Sequence, residues 1–145
     1  MKRLMIAGLL LAAPIQAQDA SGLLMLEAGI DGGNSIACPG HYVGVQARVA
    51  DPVSVYANVD NWRCIDAAGT TSRGGLSVRL GRADWLVRPA ARAGLAYDGD
   101  DILGTLGASL TLGRRYGGRV ILDRQSLAAS DDPLVLFQIG GYISF

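Results

Sequence analysis

The sequence predicts an all-β chain: an eight-stranded antiparallel up-and-down transmembrane β-barrel behind a cleaved N-terminal leader. Three observations predict it. Eight segments alternate apolar and polar residues with the period of a strand. Their connections are short at one end of the implied barrel and longer at the other, an asymmetry that membrane barrels show. Half of the 145 residues are hydrophobic, yet no apolar run beyond the leader approaches the roughly 20 residues of a membrane helix.

The leader is read from Lys2 and Arg3, the apolar run Leu4 to Ala13, and the breaker and small residue in Pro14-Ile15-Gln16-Ala17. This is the order of a secretory signal peptide. Residues 1–17 are therefore expected to be removed, leaving 18–145 as one barrel domain. No cysteine lies near the cleavage point, which disfavours a lipid anchor. Lys2 is the only lysine, so 13 basic residues less Lys2 and Arg3 leave arginines alone, two fewer than the 13 acids. No basic stretch is interleaved with aromatics, and nothing points to nucleic acid. Cys38 and Cys64 are an even pair in an exported chain, and a disulfide is the expected state. On the loop-entropy view it would add about 3 to 4 kcal/mol.

The first strand runs from about Gly22 to Ile30, with Leu24, Leu26, Ala28 and Ile30 on one face and Glu27 on the other. Asp31-Gly32-Gly33-Asn34 breaks it. The second, Tyr42 to Val49, sets Val43, Val45, Ala47 and Val49 against Gly44, Gln46 and Arg48, and Asp51-Pro52 turns the chain. The third, Val53 to about Asn61, sets its valines against Ser54, Tyr56 and Asn58. A long segment through Cys64 and the Gly69 to Gly75 stretch is expected to be a loop, so the fourth strand begins only near Leu76 and sets Leu76, Val78 and Leu80 against Ser77 and Arg79.

The fifth strand, Val87 to Tyr97, opposes Arg88, Ala90, Arg92, Gly94 and Ala96 to an apolar face that includes Pro89, which lacks a ladder donor. The sixth, Ile102 to Gly113, sets Leu106, Ala108, Leu110 and Leu112 against Thr105, Gly107, Ser109 and Thr111. Arg114 to Gly118 reads as a turn. The seventh, Arg119 to Gln125, points Val120 and Leu122 outward if Arg119 and Asp123 face in, and Ser126 to Pro133 leads to the closing strand.

With both ends of an eight-strand meander in the periplasm, the connections after strands two, four and six are periplasmic. They are Asp51-Pro52, Arg82 to Trp85 and Arg114 to Gly118; the external set includes Asp31 to His41, Trp62 to Gly75 and Ser126 to Pro133. Both cysteines then fall on the external side. The polar faces collect Glu27, Gln46, Arg48, Tyr56, Arg79, Arg88, Arg92, Arg119 and Asp123, together with hydroxyls and amides. In a narrow barrel these would form an internal pairing network, because eight strands leave a lumen about filled by side chains. A soluble periplasmic sandwich or barrel that binds a ligand or partner would instead turn the same arginines to water. Trp62, Trp85, Tyr97, Tyr116, Phe137 and Phe145 are the candidates for an interfacial aromatic belt.

The segment LVLFQIGGYISF, Leu134 to Phe145, places Val135, Phe137, Ile139, Ile143 and Phe145 on one face. It resembles the closing strand of small eight-stranded bacterial outer-membrane barrels. That resemblance implies that Phe145 is the insertion signal read by the barrel-insertion machinery and that the surroundings are outer-membrane lipid. It also implies a structural, surface-interaction or narrow-pore (porin-like) role with no cofactor and an unspecified external ligand. Some members of the class modify lipids, so a histidine-activated serine is worth seeking. His41 is the sole histidine and has no serine two residues on, as the lipid A deacylases do. A His41, Asp66 and Ser72 set, in the manner of the palmitoyl transferase, is the remaining possibility; a loop histidine and no catalytic residue is the expectation. The acids Asp98, Asp100 and Asp101 lack calcium-loop spacing, so no metal is expected.

Overall fold

The computed structural model describes residues 23–32, 39–64, 68–126 and 134–145. The leader and Cys38 lie outside the described residues. Within them the chain is a closed antiparallel barrel of β1 (Leu24–Gly32), β2 (Gly40–Ala50), β3 (Val53–Arg63), β4 (Ala68–Arg79), β5 (Val87–Tyr97), β6 (Ile102–Gly113), β7 (Tyr116–Gln125) and β8 (Leu134–Ser144), ordered as in the chain. The seam joins β1 to β8 from Met25 opposite Ser144 to Gly32 opposite Phe137. Leu24 and Phe145 extend it through their backbones, with Phe145 N donating to Leu24 O at 2.8 Å. Strands of 9 to 12 residues match the roughly 9–11 needed to cross a bilayer at a tilt. Closure leaves no sheet edge, the condition for strands in hydrocarbon.

Alternation decides what faces where. On β3 Ser54, Tyr56, Asn58 and Asp60 are buried in the lumen, while Val55, Ala57 and Val59 face out. On β6 Thr105, Ser109 and Thr111 are inward and Leu106, Leu110 and Leu112 outward. Leu106 is 67% exposed and Ile102 70%, whereas Arg92, Arg119 and Asp123 are each 1% exposed. This polarity is the reverse of a water-soluble barrel and is that of a membrane barrel.

Three expectations are corrected. The Gly69 to Gly75 stretch is strand: β4 begins at Ala68, and its pairing with β3 runs from Arg63 opposite Ala68 to Val53 opposite Val78. Tyr116 to Gly118 likewise belongs to β7, paired to β6 and β8. The contrast in connection length is consequently weaker than expected. The end holding Leu24 and Ser144, hereafter the turn end, has connections 51–52, 80–86 and 114–115; the other, the loop end, has 33–39, 64–67, 98–101 and 126–133. Trp62, finally, is not part of an outer belt. It faces inward opposite Gly69, where an added Cβ would lie 2.5 Å from its ring. Trp85, Tyr97, Tyr116, Phe137 and Phe145 are exposed.

Pro89 fits because of where β4 stops. The last β4–β5 pair is Arg79 opposite Ala90, and the Pro89 carbonyl accepts from Leu80 N at 2.8 Å. Its nitrogen therefore faces a side where the ladder is ending, and little is lost. Gly113, at φ 105°, opens the two-residue β6–β7 turn with a backbone that side chains disfavour.

Candidate functional site in the barrel lumen

The described interior buries three arginines, Arg73, Arg92 and Arg119, with three carboxylates, Glu27, Asp60 and Asp123. These charges are bound across the lumen as well as along the wall. Arg119 on β7 donates from Nη1 to Glu27 Oε2 on β1 at 2.8 Å, and from Nη2 to Gln46 Oε1 at 2.7 Å and Ser109 Oγ at 3.3 Å. Arg73 on β4 donates from Nε to Asp60 Oδ2 on the adjacent β3 at 2.8 Å. Gln138 on β8 crosses to the other oxygen of Asp60 at 2.5 Å. Asp123 on β7 sits between two guanidiniums, 3.6 Å from Arg73 Nη1 and 3.5 Å from Arg92 Nε. Arg92 also stacks over the Tyr56 ring at 3.9 Å, a favourable cation–π placement.

Each charge so placed has lost its water, a cost of several kcal/mol per ion that its partners must offset. Arginine suits the task because its planar fork reaches several acceptors at once. Small residues on the inward face make the room. A Cβ on Gly44 would lie 2.9 Å from Glu27 Oε1 and 2.5 Å from Asn58 Oδ1; one on Gly107 would lie 2.2 Å from Asp123 Oδ1 and from the Leu122 carbonyl. Gly107→Ala is accordingly expected to destabilise the barrel by about 1–3 kcal/mol, the usual cost of overpacking. Urea unfolding in lipid vesicles measures it, and a neutral result would mean that the Asp123 region is loosely packed.

Of the inward residues named from the sequence, Glu27, Tyr56, Arg92, Arg119 and Asp123 are buried. Gln46, Arg48, Arg79 and Arg88 are half-buried toward the turn end. There Arg88 donates to Tyr142 Oη at 2.9 Å and to the Gly113 carbonyl at 2.8 Å, and Arg79 pairs with Asp51. Sequence reasoning missed Asp60 and Arg73. Asp60 extends the Ser54, Tyr56, Asn58 parity by one step and could have been found; Arg73 lay in the stretch read as loop.

The possible catalytic set is not assembled. His41 and Ser72 are both exposed on outward positions, on β2 and β4 with β3 between them, and Asp66 lies outside the described residues. The acidic turn is tied up by its own backbone. Asp98 accepts from Asp101 N at 2.9 Å and Asp100 N at 3.2 Å, which holds its carboxyl below the usual carboxylate range. Among the described residues no cluster could hold a metal ion.

An apolar outer wall around a charged, cross-bridged lumen defines a transmembrane β-barrel of the smallest, eight-stranded kind. No family model matches this chain, and no curated protein does. Solved structures do. The N-terminal barrel domain of Pseudomonas aeruginosa OprF is similar at a TM-score of 0.66 and 15% identity, over 86% of this chain and 99% of that one. The Yersinia pestis outer-membrane protein Ail, in a phospholipid bilayer nanodisc, is similar at 0.61 and 10%, over 86% and 99%. A designed protein, TMB2.3, is similar at 0.61 and 15%, over 88% and 98%. At these identities the likeness is one of fold.

Proposed function

We propose that the protein is a structural barrel of the outer membrane of a Gram-negative bacterium, closed to ions, whose loop end serves surface interaction and which carries out no catalysis. The observation that supports this best is the lumen. Glu27 to Arg119, Asp60 to Gln138 and Asp123 to Arg73 reach from one wall to another, so that a pore would require breaking buried ion pairs. Outer-membrane lipid surrounds the apolar wall, and the barrel-insertion machinery reads Phe145. The Cys38–Cys64 disulfide belongs to the same reading and staples two external connections. The barrel purified without reductant should then run faster in a non-reducing denaturing gel than after reduction; identical mobilities, with both thiols reactive to a maleimide, would remove the staple.

Reconstitution in a planar bilayer tests the closed lumen. The expected result is no stepwise conductance above the lipid baseline. Stable, reproducible openings by the folded monomer would instead favour the narrow-pore role that the sequence also allowed.

A further inference from the structure

At the turn end the lumen widens into a small vestibule, and its charge does not balance. The fully buried charges balance, three arginines against three carboxylates, and Asp31 adds a further inward acid toward the loop end. The vestibule is lined by Arg48, Arg79 and Arg88 from three different strands, floored by Arg119, with Ser54 and Ser77 among its hydroxyls. Arg79 has Asp51 and Arg119 has Glu27. Arg48 and Arg88 form no ion pair among the described residues. Arg48 stands opposite Ser54, and Ser54 opposite Ser77, so these three side chains form one row around the wall. Ser77 is 1% exposed and its Oγ has no hydrogen-bond partner; Arg88 Nε is enclosed and likewise unpartnered.

We propose that this vestibule binds a small oxyanion of the phosphate class. Two guanidiniums without counter-charges, held on the walls of a low-dielectric cleft, attract an anion and focus it. Their forked donors match tetrahedral oxygens, and charge-assisted hydrogen bonds to phosphate are the stronger kind. The unpartnered Ser77 hydroxyl adds a further donor, and a tetrahedral oxyanion, with several oxygens, can engage it and the guanidiniums together where a single spherical ion has no such directions to offer. Size sets the limit on the guest. The cavity is about 80 Å³, several times the roughly 10–15 Å³ that one water needs and far below the roughly 300–1,000 Å³ of sites for drug-sized ligands. It therefore takes a free inorganic oxyanion or one of similar size, and excludes a sugar or nucleotide. The guanidiniums line the inside of the barrel, so the anion arrives from water through the mouth and not from a bilayer headgroup. Since the lumen above is bridged, the site is a dead end that retains its guest.

The test uses the mature protein folded in a detergent without a phosphate headgroup, titrated with inorganic phosphate and followed by amide chemical shifts. Saturable changes are expected at Arg48, Ser54 and Ser77, absent with chloride at matched ionic strength. Arg48→Gln should weaken binding about tenfold or more. The Arg48 side chain forms no hydrogen bond or ion pair among the described residues, and its backbone N–H, which donates to Leu23 O at 2.8 Å, is kept in the variant, so Arg48→Gln is expected to keep the heat-modifiable mobility of the folded barrel. Equal shifts with chloride, or wild-type affinity in Arg48→Gln, would overturn the site. If the variant did not fold, the comparison of phosphate with chloride on the wild type still decides.

Discussion

Arg119→Met should destabilise the barrel by about 3–5 kcal/mol, the range for breaking a buried ion pair by removing one partner. Arg119 is 1% exposed and satisfies Glu27, Gln46 and Ser109 at once. Its loss leaves the Glu27 carboxylate, whose side chain is 0% exposed, without a cation at 2.8 Å. The Glu27 carboxylate is then buried without its partner, which costs free energy. The double variant Glu27→Gln, Arg119→Met removes the stranded charge and should recover much of the loss. A double-mutant cycle from urea unfolding in vesicles reads this coupling. Additive single-site losses would show that the pair is not acting as one unit.

Leu106→Arg is the second large effect, expected at about 2–4 kcal/mol, the cost of arginine on the lipid face near the bilayer midplane. Leu106 is the fifth of twelve residues in β6; it stands opposite Ala93 on one side and, on the other, opposite Arg124, an outward arginine next to the loop end of β7, so the expected penalty lies at the lower end of that range. Its environment determines the sign of the argument. A side chain 67% exposed to water could be exchanged for arginine within about 0.5 kcal/mol. In lipid the same exposure becomes burial in hydrocarbon. The penalty should shrink for Ile102→Arg, at the strand end, because charge near the interface costs roughly 0–1 kcal/mol. A flat profile along β6 would speak for water on that face.

The sequence made most of the barrel legible because lipid and lumen impose opposite chemistry at successive residues. Where that contrast fades, the reading failed. In Ala68 to Gly75 the outward positions are Ala68, Thr70, Ser72 and Gly74, and the inward ones Gly69, Thr71, Arg73 and Gly75. Neither set is apolar, so the period of two carries no signal, and only the register with β3 identifies the strand. Tyr116-Gly117-Gly118 failed for the same reason. Losing the first half of β4 also concealed Arg73, and with it the Asp60 pair.

The lumen was legible in part. Alternation assigns Glu27, Arg92, Arg119 and Asp123 to one side of the sheet, but not who meets whom. Those partnerships cross the barrel, between β1 and β7 or β4 and β7, and follow from strand tilt and stagger once the sheet closes. Trp62 shows the converse error. Its position near a strand end suggests a place in the belt, whereas its parity with Asp60 and Asn58 turns it inward.

The claim on which the rest depends is that the apolar wall faces lipid. Cell fractionation with a urea wash of the membranes, followed by gel mobility of the extracted protein with and without heating, tests it most directly. The account predicts that the chain remains in urea-washed outer membranes and migrates differently before and after boiling, since a closed barrel resists detergent until heated. A chain released into the soluble periplasmic fraction as a monomer, with the same mobility in both lanes, would contradict it.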